Sequence, residues 1–516
     1  MNCCGFTLGK MNCVVFGIVL SLVLEVTYVS TSGFLWNLPK PNILLILTDD
    51  QDVVLHGLTP MHNVQQLIGS MGVTFSNAFA SSPICCPSRA SILSGMYAHN
   101  HRTVNNSLSG GCYGSYWRKK VEPKVLPVVM QQSGYDTFFA GKYLNEYSGR
   151  NVPPGWREFH GLQGNSRYYN YSLNENGRMN SYSDRYLTDL ITEKTIAFLE
   201  ERKVGMRPFF AMIAPPAPHA PFTPAPRHRN AFAGLKTPRT ANFNVISGNL
   251  DKHWLVAFSQ KMSTRLVSTL DVYYQKRWES LLAVDEMVGS IVNSLNQTGE
   301  LDNTYIIFTS DNGYHLGQFA QPFDKRQPYE TDIRVPFLVR GPNVPKKSIV
   351  SAPISLIDLV PTIYEWTGII PRGNEDGISF HAYLMNPKYN PLFDRGFHRE
   401  ILIQHWGEGN DQTFNYQCPW KKSDGLSECT LDADCHCQDS RNNTYACIRH
   451  FRFGTNKLYC EFQDHEQFVE AYDLDEDPYQ MENLGYEMLP IERALYSLAL
   501  HNLTTCVGSS CRIVNL

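Results

Sequence analysis

The chain has 516 residues, 43% of them hydrophobic and 18% charged, with 45 basic against 49 acidic side chains and a formal net charge of -4. That length can bury one large core and a smaller one. The balanced charge leaves no electrostatic footprint for nucleic acid, which excludes a protein held mainly by phosphates.

The first readable element is Lys10, an apolar run over residues 13–24, and then Ser30, Thr31, Ser32 and Gly33. This reads as a secretory signal peptide over residues 1–32, with an uncleaved anchor as the alternative, because the run is short for a membrane span. No later stretch approaches about 18 uninterrupted apolar residues, so no stable membrane insertion is expected of the mature chain. Five Asn-x-Ser/Thr sequons, at Asn105, Asn170, Asn296, Asn442 and Asn502, fit glycosylation on that route.

Residues 41–48 form a continuous apolar run followed by Asp49, Asp50 and Asp52. The run predicts a strand covered on both faces, and ligands of open α/β sheets bind at such carboxyl ends. Adjacent buried carboxylates need a cation, and hard oxygen ligands point to calcium or magnesium. Cys85-Cys86-Pro87-Ser88-Arg89 follows, closed by Gly95, with Pro87 suited to a helix entry. Arg89, one turn in, is placed to face an anion near the helix N-terminus. Gly134 to Lys142 is a second patterned stretch, and residues 209–214 predict another strand, running into a proline-rich loop that projects His219 toward the same crevice.

Apolar positions at helical spacing predict a helix over 273–298 that packs on the sheet. Residues 305–309 repeat the first pattern, a strand ending in Asp311 and Asn312, so that two strand ends could together supply four oxygen ligands to one cation. His315 and Lys325 come next; Glu330 and Arg334 are assigned to the strand leading into 335–342, and Asp358 and Asp376 to structural roles. A boundary falls near 386–399, and strands are expected at 401–403 and 469–474. Setting aside Cys3, Cys4, Cys13 and Cys85 leaves ten of the fourteen cysteines, eight of them at 418, 429, 435, 437, 447, 460, 506 and 511. This predicts a disulfide-stapled C-terminal region whose connectivity stays open, with zinc at Cys435-x-Cys437 as the competitor.

The Cys85–Gly95 stretch resembles the C-x-P-S-R signature of the type I sulfatases, and Gly134 to Lys142 resembles their second signature. The resemblance implies an α/β fold of alkaline phosphatase/sulfatase type, a large mixed central sheet flanked by helices, with a smaller C-terminal α+β subdomain. It divides the chain into a catalytic domain over 33–395 and a disulfide-rich subdomain over 396–516. It further implies that Cys85 is converted to formylglycine by the formylglycine-generating enzyme, and that one calcium ion is held by Asp49, Asp50, residue 85, Asp311 and Asn312. Arg89, Lys142, His219 and Lys325 become catalytic residues, with Lys142, His219, Lys325 and His315 facing the substrate. Many members carry a histidine two residues after the lysine; Leu144 stands there, with Asn145 as a substitute.

The stretches 142–147, 252–255, 105–108 and 442–447 resemble the glucosamine-6-sulfatase branch, which implies removal of 6-O-sulfate from terminal N-acetylglucosamine of heparan and keratan sulfate, a lysosomal enzyme, and room for a homodimer. No long basic insertion is present, which favours exo action. Residues 404–408 are expected to line the sugar pocket. The rival readings are another sugar or aryl sulfate specificity, a phosphatase or phosphonate hydrolase of the superfamily, and a catalytically silent secreted glycan-binding glycoprotein.

Overall fold

The run after Pro41 folds as strand β1, Asn42–Thr48, buried along its whole length. Ile43, Leu45 and Leu47 enter one core and Leu44 and Ile46 the other, as the two-residue period of a strand requires. With both faces covered there is no polar side, hence the unbroken apolar sequence. Strands β2 (Asp136–Lys142), β3 (Phe209–Ala214) and β4 (Thr304–Ser310) are buried in the same way. These four pair in parallel in the order β4-β1-β3-β2. Glu158–Leu162 extends the parallel block beside β2; antiparallel pairing through Phe337–Arg340 on one flank and through Tyr171–Glu175 and Arg178–Tyr182 on the other completes a ten-stranded mixed sheet.

The computed structural model describes residues 40–202, 205–246, 251–388, 394–395, 397–409, 415–420 and 425–513. The leader expected over 1–32 lies outside them. Residues 41–516 form one compact unit. Helix α1 is Cys85–Ser94 and helix α2 is Thr264–Gln297. The latter starts a good two turns before the predicted residue 273, because Leu266 and Leu270 continue its apolar face and the Ser263 hydroxyl accepts from the Leu266 N–H at 3.1 Å. Glu330–Ile333 is a short helix, correcting the extended assignment made for Glu330; the Asp332 N–H bonds the Tyr329 carbonyl at 2.9 Å.

The C-terminal region carries a four-stranded antiparallel sheet in the order His398–His405, Tyr445–Arg452, Thr455–Phe462, Val469–Asp473. Helix α3, Pro490–Thr505, packs Tyr496, Ala499, Leu500 and Leu503 against it. A two-stranded ribbon, Leu426–Cys429 with Cys437–Ser440, lies beside it in sequence. All ten cysteines left for pairing are bonded: Cys86–Cys112, Cys418–Cys435, Cys429–Cys437, Cys447–Cys460 and Cys506–Cys511. Cys435 and Cys437 are therefore not zinc ligands. Asp358 bonds the Ser355 and Ile378 N–H groups and pairs with Arg399, and Asp376 bonds the Tyr97 and Gly508 N–H groups, structural roles in both cases. Among the described residues no helix is long and apolar enough to cross a membrane.

Candidate active site

Strand register builds the site. β1 and β4 pair Thr48 with Ser310, so Asp49-Asp50 and Asp311-Asn312 leave the sheet side by side. Lys142 is the last residue of β2, and the loop after β3 carries His219, so four adjacent parallel strands deliver their groups to one carboxyl edge. Gly141 lets β2 end there: its φ is 117°, and a Cβ would lie 2.0 Å from the Ala214 carbonyl oxygen of β3. Asp50 has a φ of 66°, in the left-handed region. Its N–H donates to Asp311 Oδ1 at 3.0 Å, and its carbonyl accepts from Arg277 of α2 at 2.8 Å. Arg277 also pairs with Asp52 at 2.8 Å and reaches the Pro218 carbonyl at 3.3 Å, tying together the loops after β1 and β3.

α1 begins at the same edge with Cys85 as its first residue and is buried at every position. Burial of Ser88 and Arg89 follows from their partners. The Ser88 hydroxyl donates to the Asp311 carbonyl. Arg89 Nε donates to Asp311 Oδ2 at 2.7 Å, Nη1 donates to the Lys142 carbonyl at 2.8 Å, and Nη2 lies 3.4 Å from Asp49 Oδ1. Lys142 Nζ sits 3.0 and 2.8 Å from the two Asp49 oxygens, and Ser166 also donates to Asp49. Lys325 Nζ donates to Asp50 Oδ2 at 2.6 Å. Cys85 Sγ is 3.7 Å from Asp50 Oδ1 and is the one unpaired cysteine among the described residues.

Three buried carboxylates thus face three buried cations. Burial alone would raise Asp49, but Lys142, His219, Arg89 and Lys325 hold it well below the usual carboxylate range; Asp50 is held down against burial chiefly by Lys325 and His219. Asp311, for which burial outweighs Arg89, is pushed up to about 7. Burial, aided by Asp50 and Asp49, pushes the Cys85 thiol far up despite Lys142 and Lys325. Unmodified, it is a protonated thiol and a weak nucleophile. His219 donates from Nδ1 to the Ala220 carbonyl at 2.7 Å and turns Nε2 to Asp50 Oδ2 at 3.7 Å; burial lowers its pKa.

Asp49, Asp50, Cys85 and His219 each offer an atom within 4.8 Å of the others, a grouping able to hold a metal ion. Asn312 donates to Asp50 Oδ1 at 2.8 Å, leaving its own Oδ1 buried with no donor. An orphaned carbonyl oxygen beside buried carboxylates suits a cation.

The cluster opens into a cleft of about 310 Å³ whose lining includes Asp50, His219, Tyr314, Lys325, Arg326 and Glu408. Asn145 stands on its wall with an unpartnered Oδ1, while Leu144 is in the apolar core, so the asparagine, not the leucine, faces the cleft. Of residues 404–408, Glu408 lines it; Gln404 bonds His99 and His405 bonds Asp439. His315 stands behind the wall: Nδ1 is 3.0 Å from both Asp332 oxygens, and Nε2 is 3.4 Å from Gln438. Its N–H bonds the Asp324 carbonyl at 2.8 Å, bracing the loop that carries Lys325. Arg277, Ser166, Arg326 and Glu428 were not singled out from sequence for this site. Arg326 pairs with Asp324, Glu408 and Glu428, which come from three separate segments.

A sequence model of the sulfatase family matches residues 41–369. A human protein named N-acetylglucosamine-6-sulfatase is 44% identical over 486 residues, covering 92% of this chain and 86% of that protein. An extracellular sulfatase homologue of Drosophila melanogaster is 39% identical over 353 residues, covering 67% of this chain and 31% of its own length. A solved structure, described as a complex with its substrate D-glucosamine-2-N,6-O-disulfate, superposes with a TM-score of 0.70 at 24% identity, covering 92% of this chain and 98% of that one. The match to the family model, the identity across nearly the whole chain and the shared fold lead to one conclusion: this chain belongs to the sulfatase family.

Proposed function

We propose that the protein hydrolyses the 6-O-sulfate ester of terminal N-acetylglucosamine 6-sulfate in heparan or keratan sulfate. The observation that carries the reading is Cys85, unpaired and buried at the start of α1, within reach of Asp50 and framed by Arg89, Lys142 and Lys325. The 44% identity to proteins named N-acetylglucosamine-6-sulfatase supports the sugar. Maturation by a formylglycine-generating enzyme and lysosomal delivery belong to the same reading. Exposure of Asn170, Asn296, Asn442 and Asn502, with Asn105 half-buried, supports the secretory route.

A formylglycine at position 85 would supply, as its hydrate, an oxygen nucleophile for the ester sulfur. Asp49, Asp50, Asp311 and Asn312 fit a calcium ion, which when bound supplies positive charge that polarises sulfate oxygens. Arg89, Lys142 and Lys325 already neutralise the three carboxylates, so a bound divalent ion leaves the cluster net positive, as an anionic ester requires. Lys325 lines the cleft and can reach a sulfate oxygen from there; Lys142 and Arg89 fix Asp49 and Asp311. His219 holds one proton on Nδ1 against a carbonyl, so at acidic pH a second proton on Nε2 can pass to the departing sugar oxygen.

The test is sulfate release at acidic pH from an oligosaccharide ending in 6-sulfated N-acetylglucosamine, with Cys85→Ala as control. Release that depends on Cys85 supports both reaction and sugar. Hydrolysis of an aryl sulfate alone would discard the sugar, and hydrolysis of a phosphonate ester alone would discard the reaction.

A further inference from the structure

Lys252 to Leu255 lie outside the catalytic cluster, yet they are firmly anchored. Lys252 Nζ sits 4.2–4.7 Å from the ring centres of Tyr472, Phe319 and Tyr329. His253 stacks on Phe462 with centroids 4.1 Å apart and bonds Asp464 at 3.1 Å. This anchor launches a single helical turn, Trp254–Ala257, that carries Trp254 and Phe258 to the surface. Phe258 is 78% exposed.

Trp254 and Phe258 line a recess of about 460 Å³ together with Trp420, Leu426 and His436. Trp420, 41% exposed, is fixed by its indole N–H, which donates to the Cys435 carbonyl at 2.8 Å beside the Cys418–Cys435 bridge. Apolar residues exposed singly are ordinary, but aromatic side chains gathered around one recess form the contiguous kind of patch that marks a binding surface. The recess has the size and composition of a ligand site, with aromatic faces and a few polar edges from Ser259, Gln260 and Asp434. A pyranose ring has the matching chemistry, an apolar C–H face bounded by hydroxyls.

Position selects the occupant. Leu426 lines the recess and Glu428 lines the catalytic cleft, two residues apart on one short strand. On the opposite strand Cys437 lines the recess, while the next residue, Gln438, is buried and bonds His315 behind the cleft wall. The ribbon thus borders both the cleft and the recess.

We propose that the recess is a carbohydrate subsite that stacks a sugar ring of the substrate chain behind the sulfated terminal residue. The proposal rests on reading the cleft as a glycan 6-sulfatase site. Its test compares a 6-sulfated N-acetylglucosamine monosaccharide with a tetrasaccharide ending in the same residue, for wild type, Phe258→Ala, Phe258→Tyr and Trp420→Ala. The expected result is that the tetrasaccharide-to-monosaccharide ratio of kcat/KM falls about tenfold in both alanine variants, through KM. Monosaccharide turnover stays unchanged, and Phe258→Tyr keeps the ratio. An equal ratio in all four proteins overturns the proposal. Should wild type release sulfate from neither, the reading of the cleft has failed, and tetrasaccharide binding followed by tryptophan fluorescence decides the subsite. A change lost in Phe258→Ala supports it; no change in wild type overturns it.

Discussion

Asp50 meets most of the site. Its two oxygens receive Asn312 and Lys325, approach Cys85 and His219, and its backbone is gripped from both sides by Asp311 and Arg277. Asp50→Asn removes one carboxylate from the group fitted to calcium while keeping the side chain's shape. Calcium affinity, measured by calorimetry, should drop at least about tenfold, since ligand charge dominates such sites. Lys325→Ala removes a cation aimed into the cleft without leaving the other two pairs broken. The expected loss in kcat on a 6-sulfated substrate is about 10²–10³, the usual cost of one group that stabilises transition-state charge. A loss confined to KM would assign Lys325 to uniform binding instead.

At the scale of elements, the strand ends decide the site, and they were legible because fully buried strands leave continuous apolar runs that stop abruptly at acids. β1 and β4 announce themselves this way, and parallel register does the rest. What was not legible depends on contacts between distant segments. Arg277 sits mid-helix in α2 and looks like an ordinary surface charge until α2 is laid against the loops after β1 and β3. Glu408 and Glu428 face the cleft through Arg326, and Cys86 finds Cys112 across 26 residues. The earlier start of α2 lay hidden because its first turns pack on loop residues such as Tyr314 and Leu55, not on the sheet. Arg277→Ala leaves Asp52 buried and unpaired, which should cost about 3–5 kcal/mol in denaturant unfolding. Gly141→Ala should lower both stability and turnover, because a Cβ would collide with the Ala214 carbonyl one residue before Lys142. Unaltered activity and melting in that variant would show that β2 and β3 can separate freely.

For the whole molecule, the buried carboxyls tie stability to pH. Glu122 accepts from Trp117 Nε1 at 3.1 Å and from the Tyr143 hydroxyl at 2.9 Å, and burial pushes it up to about 7 from 4.5. A carboxyl raised in the folded state contributes stability that is complete below about pH 4.5 and is lost as pH rises through about 7. Glu122→Gln keeps an acceptor and cannot ionise. Its Tm should therefore gain on wild type between pH 5 and pH 8, a relative change on the order of 2 kcal/mol. Parallel Tm profiles would contradict the assignment. Fold, disulfide pairing and charge converge on position 85, where one cysteine is left free at the head of α1. The most direct measurement is the mass of the peptide containing residue 85, from protein made through a secretory pathway and active on a 6-sulfated substrate. Formylglycine is the residue expected there. An unmodified cysteine in active protein would contradict that expectation.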